Sequence, residues 1–392
     1  MLLIAVLTYI LKAQQMVDGM KSTGFAINYR RGIVARGLPG SILDMICKIG
    51  GPQLYCYKTV LIISTVGYIL YLFVIWQLAV RFIRAADGSG YAKAAVMFIA
   101  PLFIEMFITP ENYGRTDMYL LMISVTAGYS VIKDRGMILC VICPVIGILI
   151  HEGYLFDYYL IILACLFYKF ALAGRDGKKR YVIWGIVSIL ISLVVFIWVF
   201  ALSKRFVPMS DEIFQGVVED AKLLVPPGTD IHYTFLEAEL LGKDLYETER
   251  DIMVGTRISA VLFCICFIPL FIKGLDLMKA IYRNSVHKVA VIILCLAPVT
   301  FIPLFVRKID YGRWIFAFIA YYVIMLFLTV IDGNETVKGA FAEQMKKISD
   351  THWEPVFLTL YFMLFIPLRT YFINDLCERI FMFVDAIAGL IN

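Results

Sequence analysis

A histidine stands beside a carboxylate in one of the four short polar motifs that interrupt this largely apolar sequence. His151 and Glu152 separate two apolar runs with almost no loop between them. Histidine titrates near neutral pH and glutamate can accept a proton, so both are candidates for proton transfer. A turn histidine that hydrogen-bonds only to the backbone is the alternative interpretation.

A second motif combines arginine with glycine. Arg30, Arg31 and Arg36 lie among glycines and precede an amphipathic stretch that begins at Ser41. Guanidinium groups bind phosphate through paired N–H donors, and backbone amides at a helix start assist. The motif predicts a phosphate-binding loop. The alternative is an interfacial loop whose arginines contact lipid headgroups.

Two further motifs place a Gly-Arg pair at the edge of an apolar run. Arg115 is followed closely by Asp117, and Arg313 follows Asp310. Glu105 lies inside the preceding apolar run, where a carboxylate is costly and usually faces a polar cavity or a cation. We predict that Arg115 and Arg313 bind phosphate and that Asp117 accepts a proton, with Glu105 and Asp310 in secondary roles. Structural pairing of Arg115 with Asp117 or Glu105 is the alternative.

The composition indicates which elements must position these motifs. Hydrophobic residues make up 61% of the 392-residue chain, charged residues only 17%, and the mean hydropathy is +0.82. Such a surface is covered by lipid, which offers no hydrogen bonds to the backbone, so apolar runs of about 20 residues must form helices. The predicted fold class is all-α, a polytopic integral membrane helix bundle.

Apolar runs predict about eleven transmembrane helices in a single domain, 1–392. The spans are expected near 1–17, 59–80, 94–110, 117–132, 136–150, 153–172, 181–203, 256–272, 288–306, 314–331 and 355–373. The first run lacks a basic flank and a cleavage site, so it is predicted to be a retained span. Two long loops, 12–58 and 204–255, complete the chain. The second is acidic, with two helix-like pieces, the second of them from Tyr233 to Arg250, and it could cover a cavity as a lid or admit a polar acceptor such as a sugar. For most of its charges a solvated external loop is the favoured interpretation.

Basic residues orient the predicted bundle. One alternate set of loops carries seventeen lysines and arginines, whereas the opposite short connections and the tail carry six. Because the basic side of a membrane protein faces the cytoplasm, the amino terminus is predicted to be cytoplasmic and the carboxyl terminus extracytoplasmic. All four motifs then lie on the outer face. The net charge of +5 is explained by orientation, so nucleic-acid binding is not expected.

Arginine, carboxylate and histidine above a lipid-facing bundle suggest a substrate with an anionic headgroup and a tail in the bilayer. A sugar linked to polyprenyl phosphate or diphosphate has this form. The arginines would hold phosphate, and His151, Glu152 or Asp117 would deprotonate an acceptor hydroxyl. The sequence has no Gly-rich phosphate loop on the inner side, which favours a lipid-linked donor.

The layout resembles bacterial membrane polysaccharide enzymes, namely O-antigen or capsule polymerases and related GT-C-type glycosyltransferases. The resemblance rests on residues 30–32, 36–40, 151–152 and 310–314. It implies cell-envelope polysaccharide biosynthesis in the bacterial plasma (inner) membrane, with membrane lipids and other polysaccharide-assembly proteins as partners. The GT-C type usually has an acidic pair after the first span, where this chain has only Asp18. A divalent metal is therefore not favoured, and no cofactor is expected.

Two other functional classes share the predicted fold class. A transporter or flippase would bind the same lipid but would need polar groups through the whole bundle, where only Glu105, Asp157 and Gln77 stand out. A membrane acyltransferase would need a catalytic group reachable from the cytoplasm, and His287 and His352 lie in loops of ordinary appearance. Glycosyl transfer at the outer face is the favoured prediction.

Overall fold

A computed structural model describes residues 17–108, 112–202, 209–242, 268–302, 311–351 and 353–358. Within these ranges all regular secondary structure is helical, which confirms the predicted all-α class. The α-helices are α1 (Gly19–Gly24), α2 (Gly37–Gly50), α3 (Tyr57–Ala85), α4 (Gly90–Ile108), α5 (Asp117–Ile132), α6 (Leu139–Ile150), α7 (Tyr159–Leu172), α8 (Arg175–Phe200), α9 (Asp211–Leu224), α10 (Tyr233–Leu240), α11 (Ile268–Asn284), α12 (Lys288–Leu296), α13 (Tyr311–Ile331) and α14 (Glu335–Asp350). Short 3-10 helices cover Tyr29–Arg31, Pro52–Leu54, Glu152–Phe156 and Ala297–Phe301.

Four described helical segments are long and apolar enough to cross a membrane. They are Tyr57–Ala85, Glu152–Leu172, Gly177–Phe200 and Arg313–Ile331. Shorter apolar helices occupy Gly90–Ile104, Asp117–Ile132, Leu139–Ile150 and Lys288–Phe301. These eight segments coincide with eight predicted spans. The runs at 1–17, 256–272 and 355–373 fall wholly or mostly outside the described residues, and the total of about eleven remains a prediction.

The centre of the bundle is formed by α5, α7 and α13. Helix α5 packs on α3, α6 and α7, and α13 packs on α3, α5 and α7. Gly128 allows this close approach, since a Cβ atom there would lie 3.2 Å from the Cys165 sulfur and 3.3 Å from Leu328 Cδ1. Helix α8 instead exposes large apolar side chains such as Ile183, Leu190 and Val194, as expected of a lipid-facing helix.

Loops of the predicted cytoplasmic set meet at one end of the bundle. Lys169 Nζ lies 3.1 Å from Asp134 Oδ2 and 3.2 Å from Asp332 Oδ1, which joins three such connections. Lys338 Nζ lies 2.6 Å from Asp87 Oδ2 and joins a fourth loop to α14. The packing therefore brings together loops that the charge pattern assigns to one side of the membrane. Which end faces the cytoplasm remains a prediction.

Residues 209–242, here named the cover segment, are docked on the opposite end. Helix α9 packs on α1 and α3, and α10 packs on α1 and α9. Amphipathic α9 buries Phe214, Val217 and Leu224 against this end of the bundle. Of the two predicted helix-like pieces of the acidic loop, the first is observed as α9, and the second, predicted from Tyr233 to Arg250, is observed as α10 over Tyr233–Leu240. Residues 243–250 lie outside the described residues. Because α9 and α10 each bury one face, the cover segment is packed on the bundle as part of the fold.

Candidate active site

Arg36 is the centre of a buried ionic network. Its Nε and Nη2 atoms donate to the two carboxylate oxygens of Glu152 at 3.1 and 3.0 Å. Its Nη1 lies 3.3 Å from Glu239 Oε1, which the cover segment contributes. The three side chains are 20%, 14% and 8% exposed, respectively. Burial alone would lower the pKa of Arg36, but Glu152 and Glu239 raise it above its usual value, so the guanidinium remains charged.

The backbone around Arg36 is constrained by its glycine-rich sequence. Arg36 itself has a left-handed conformation, with φ of 60°, immediately before α2. Such a conformation costs a residue with a side chain about 1–2 kcal/mol, so the surrounding contacts must impose it. The helix begins at Gly37 rather than at the predicted Ser41. The Ser41 hydroxyl instead donates to Gly37 O at 2.8 Å and accepts the Tyr29 N–H at 2.9 Å, which joins α2 to the preceding loop.

Gly40 permits the closest backbone approach in this loop. A Cβ atom there would lie 2.1 Å from the Ile27 carbonyl oxygen and 2.6 Å from that of Phe25. We expect Gly40→Ala to lower the free energy of unfolding by at least about 2 kcal/mol and to displace Arg36, because backbone must move. Thermal unfolding in detergent would measure this. Gly185→Ala is the control, since its Cβ would meet no atom within 4 Å. Equal stability of the two variants would contradict the prediction.

A second ion pair joins the starts of two central helices. Arg313 Nη1 donates to Asp117 Oδ2 at 3.0 Å, across 196 residues of sequence. Asp117 opens α5 and Arg313 lies in the first turn of α13. The side chains are 5% and 14% exposed. Trp314 is also buried, and its ring centroid lies 5.4 Å from the Arg313 guanidinium carbon.

His151 lies between these two ion pairs. Its Nδ1 atom accepts the Gly153 N–H at 2.9 Å, so the proton of the neutral ring is on Nε2. Burial, and then the nearby Arg36 guanidinium, lower the pKa of His151 to about 3, with Glu152 opposing them. A group with so low a pKa is a weak base at neutral pH. The geometry favours His151 as a hydrogen-bond donor through Nε2.

The depressed pKa of His151 has a consequence for stability. The unfolded chain takes up a proton below about pH 6.5, whereas the folded protein does not until the pH approaches 3. We therefore expect stability to fall as the pH falls, by about 1 kcal/mol from this residue at pH 5.5. Thermal unfolding between pH 7.5 and 5 would measure it. His151→Asn keeps an acceptor for Gly153 but cannot titrate, so this variant should show a smaller pH dependence. The same dependence in both proteins would disprove the assignment.

We define the ionic cluster as Arg36, Asp117, Glu152, Glu239 and Arg313. It contains two guanidinium groups and three carboxylates, and His151 lies close enough to interact electrostatically with Arg36, Glu152, Arg313 and Asp117. The cluster is therefore a mixed-charge site rather than a purely cationic cradle. Within the described ranges, no three metal-ligating side chains are grouped as a metal site.

The other predicted site residues lie elsewhere. Arg31 forms an ion pair with Asp220 of the cover segment, and Arg30 is 68% exposed with Nη1 3.9 Å from Asp44. Asp18 caps α1 and binds Lys21 Nζ at 2.7 Å.

The remaining predicted site residues are Arg115, Glu105 and Asp310. Arg115 is half-buried in the turn before α5. Glu105 lies on α4, but its side chain and the whole of Asp310 are outside the described residues.

Sequence reasoning missed two participants. Glu239 was one of many acids in an acidic loop, and no local pattern distinguished it. Tyr158 was hidden in an apolar run, although the neighbouring Asp157 is an acid that such a run rarely contains. Asp157 and Tyr158 are 3% and 1% exposed at the start of α7.

Comparisons with known proteins give no relative of this chain. No protein-family model, no curated protein and no solved structure matches it.

Proposed function

We propose that this chain is an integral membrane glycosyltransferase or polysaccharide polymerase. It would use sugars linked to polyprenyl phosphate or diphosphate at the outer face of the bacterial plasma membrane. The observation that carries the proposal is the convergence of the four polar motifs at one buried site. Arg36, Asp117, His151, Glu152 and Arg313 come from distant parts of the sequence and meet at one end of an apolar bundle. Buried charges are costly, and perturbed ionisable groups gather at functional sites.

Arg313 and Asp117 fit the two halves of glycosyl transfer. A guanidinium is suited to a phosphate leaving group, and a carboxylate can accept the proton of an acceptor hydroxyl. In the step, the acceptor oxygen forms a bond to the anomeric carbon while its proton passes to Asp117. The bond from the anomeric carbon to the phosphate oxygen breaks, and the phosphate leaves with the electron pair. Arg313 would release Asp117 and bind the departing phosphate, and its positive charge would stabilise the negative charge that develops there.

Arg36 fits a positioning role in this site. Its Nε and Nη2 donate to Glu152, and its Nη1 lies next to Glu239. The Arg36 guanidinium therefore binds carboxylates of the protein itself. It fixes the end of α6, the first outer loop and the cover segment relative to one another. His151 Nε2–H would then be held in place to donate a hydrogen bond to substrate.

Lipid-linked oligosaccharide analysis in the native bacterium would test the proposed function. Arg313→Ala should abolish product while Arg30→Ala, whose exposed guanidinium lies outside the cluster, should not. Accumulation of single repeat units at the outer leaflet with loss of long chains would support a polymerase, and a shortened unit would support a single-sugar transferase. Unchanged glycans, or retention of the substrate at the inner leaflet as in a flippase defect, would overturn the proposal.

Sidedness can be tested separately by cysteine labelling. A cysteine replacing Arg115 should react with an impermeant reagent from outside, above the background of the native cysteines. A cysteine replacing Lys179, in the basic loop before α8, should react only after the membrane is opened. The reverse pattern would place the ionic cluster in the cytoplasm and exclude chemistry at the outer face.

A further inference from the structure

The Tyr158 hydroxyl is buried without a hydrogen-bond partner in the described structure. Tyr158 is 1% exposed, and its hydroxyl contacts no donor or acceptor among these residues. More than nine in ten buried polar groups in proteins have a partner, because leaving one unsatisfied is destabilising. A phenylalanine would fill the same space without that cost. The hydroxyl is thus available for a partner that the described residues do not supply.

Neighbouring tyrosines differ from Tyr158 in this respect. The Tyr154 hydroxyl is 2.7 Å from Ser124 Oγ, and the Tyr159 hydroxyl is 2.8 Å from Ser188 Oγ. Both link α7 or the 3-10 helix before it to another helix. Their hydroxyls therefore have a structural function that Tyr158 lacks.

The position of Tyr158 connects it to the ionic cluster. Tyr158 caps the start of α7, which packs on α5 and α13, and the first turns of those two helices carry Asp117 and Arg313. Both charged side chains interact electrostatically with Tyr158. Trp314 follows Arg313 in the sequence and is 4% exposed. Its indole N–H likewise has no hydrogen-bond partner in the described part of the chain. Two neutral hydrogen-bonding groups thus lie on the elements that carry or pack against Asp117 and Arg313.

This combination indicates the chemistry of a ligand. A phosphate without a sugar could be bound by the Arg313 guanidinium alone. The uncharged Tyr158 hydroxyl and Trp314 indole N–H are instead suited to neutral hydroxyl groups that lie close to the phosphate. We propose that Tyr158, assisted by Trp314, binds the sugar hydroxyls of the lipid-linked substrate beside Asp117. The inference rests on the proposed function and names the part of that substrate which the uncharged groups recognise.

Affinity measurements in nanodiscs can test the inference. The probes are polyprenyl phosphate without sugar and polyprenyl phosphates carrying glucose, galactose or N-acetylglucosamine. Tyr158→Phe should weaken binding of the preferred sugar-bearing lipid about 3- to 10-fold, the effect of one lost hydrogen bond, and leave sugar-free polyprenyl phosphate unchanged. Its melting temperature should be equal to or above that of the wild type.

Tyr154→Phe is the matched control, because it removes a hydroxyl that is hydrogen-bonded within the protein. It should lower the melting temperature and leave the ratio of the two affinities unchanged. The inference is overturned if Tyr158→Phe leaves both affinities unchanged, weakens both equally, or destabilises the protein as Tyr154→Phe does. If the wild type neither binds nor transfers any sugar-bearing lipid, it is the proposed function that fails.

Discussion

Replacing Arg36 with alanine is expected to abolish activity and to lower the free energy of unfolding by about 3–5 kcal/mol. The loss would leave Glu152 and Glu239, with side chains 14% and 8% exposed, without the guanidinium that they share. Arg36→Lys should restore only part of the stability, because one ammonium cannot reproduce a two-pronged contact with Glu152 and also reach Glu239. Thermal unfolding in detergent and transfer from a lipid-linked sugar would measure the two effects.

Arg30→Ala serves as the control, since this arginine is largely exposed and its nearest carboxylate atom is 3.9 Å away. Its stability should lie within about 0.5 kcal/mol of the wild type. Arg36→Met combined with Glu152→Gln should recover stability relative to Arg36→Ala, because the combination also removes a buried charge. An Arg36→Ala protein as stable as Arg30→Ala would show that the carboxylates do not depend on Arg36.

Replacing Asp117 with asparagine is expected to lower the rate of sugar transfer about 10²- to 10⁴-fold, the range for loss of a general base. Asparagine has nearly the same shape, and its carbonyl oxygen can still accept from Arg313 Nη1. The fold should therefore be largely retained. If Asp117 accepts the acceptor proton, the residual rate should rise with pH as hydroxide replaces the carboxylate.

Asp220→Asn provides a matched comparison for Asp117→Asn. Asp220 also pairs with an arginine, Arg31, but it does so in the cover segment outside the ionic cluster. It should retain transfer. Equal activity of the two variants, or an Asp117→Asn rate that does not respond to pH, would restrict Asp117 to a structural ion pair.

Hydropathy predicted the apolar helices well, because a long apolar run in lipid must satisfy its backbone hydrogen bonds internally and therefore forms a helix. The run predicted at 117–132 is observed as α5, Asp117–Ile132, since polar residues mark both of its ends. The run at 136–150 begins only at Leu139 in the structure, because residues 133–138 form the turn between two helices.

Which charges pair could not be read from the sequence. For Arg115 the alternative to phosphate binding was a local pair with Asp117 or Glu105. The structure pairs Asp117 with Arg313, from 196 residues away. That choice depends on α5 and α13 being neighbours in the bundle, which local pattern does not specify.

The arginines of the Gly-Arg loop before α2 illustrate the same limit. Arg30, Arg31 and Arg36 have similar local composition and received the same predicted role. Only Arg36 reaches the ionic cluster, because its left-handed backbone and the following Gly37 turn the chain towards Glu152. Conformation at one residue separates the three, and residue type alone does not encode it.

The distances along the chain between paired charges bear on how the protein is made. Arg36 is synthesised 116 residues before Glu152, and Asp117 is synthesised 196 residues before Arg313. Each early charge must therefore remain hydrated at the membrane surface until its counter-ion emerges from the ribosome. A nascent chain that stops before residue 313 lacks the guanidinium that donates to Asp117 in the folded protein. The Asp117–Arg313 pair can consequently form only after α13 has been synthesised and has packed on α5.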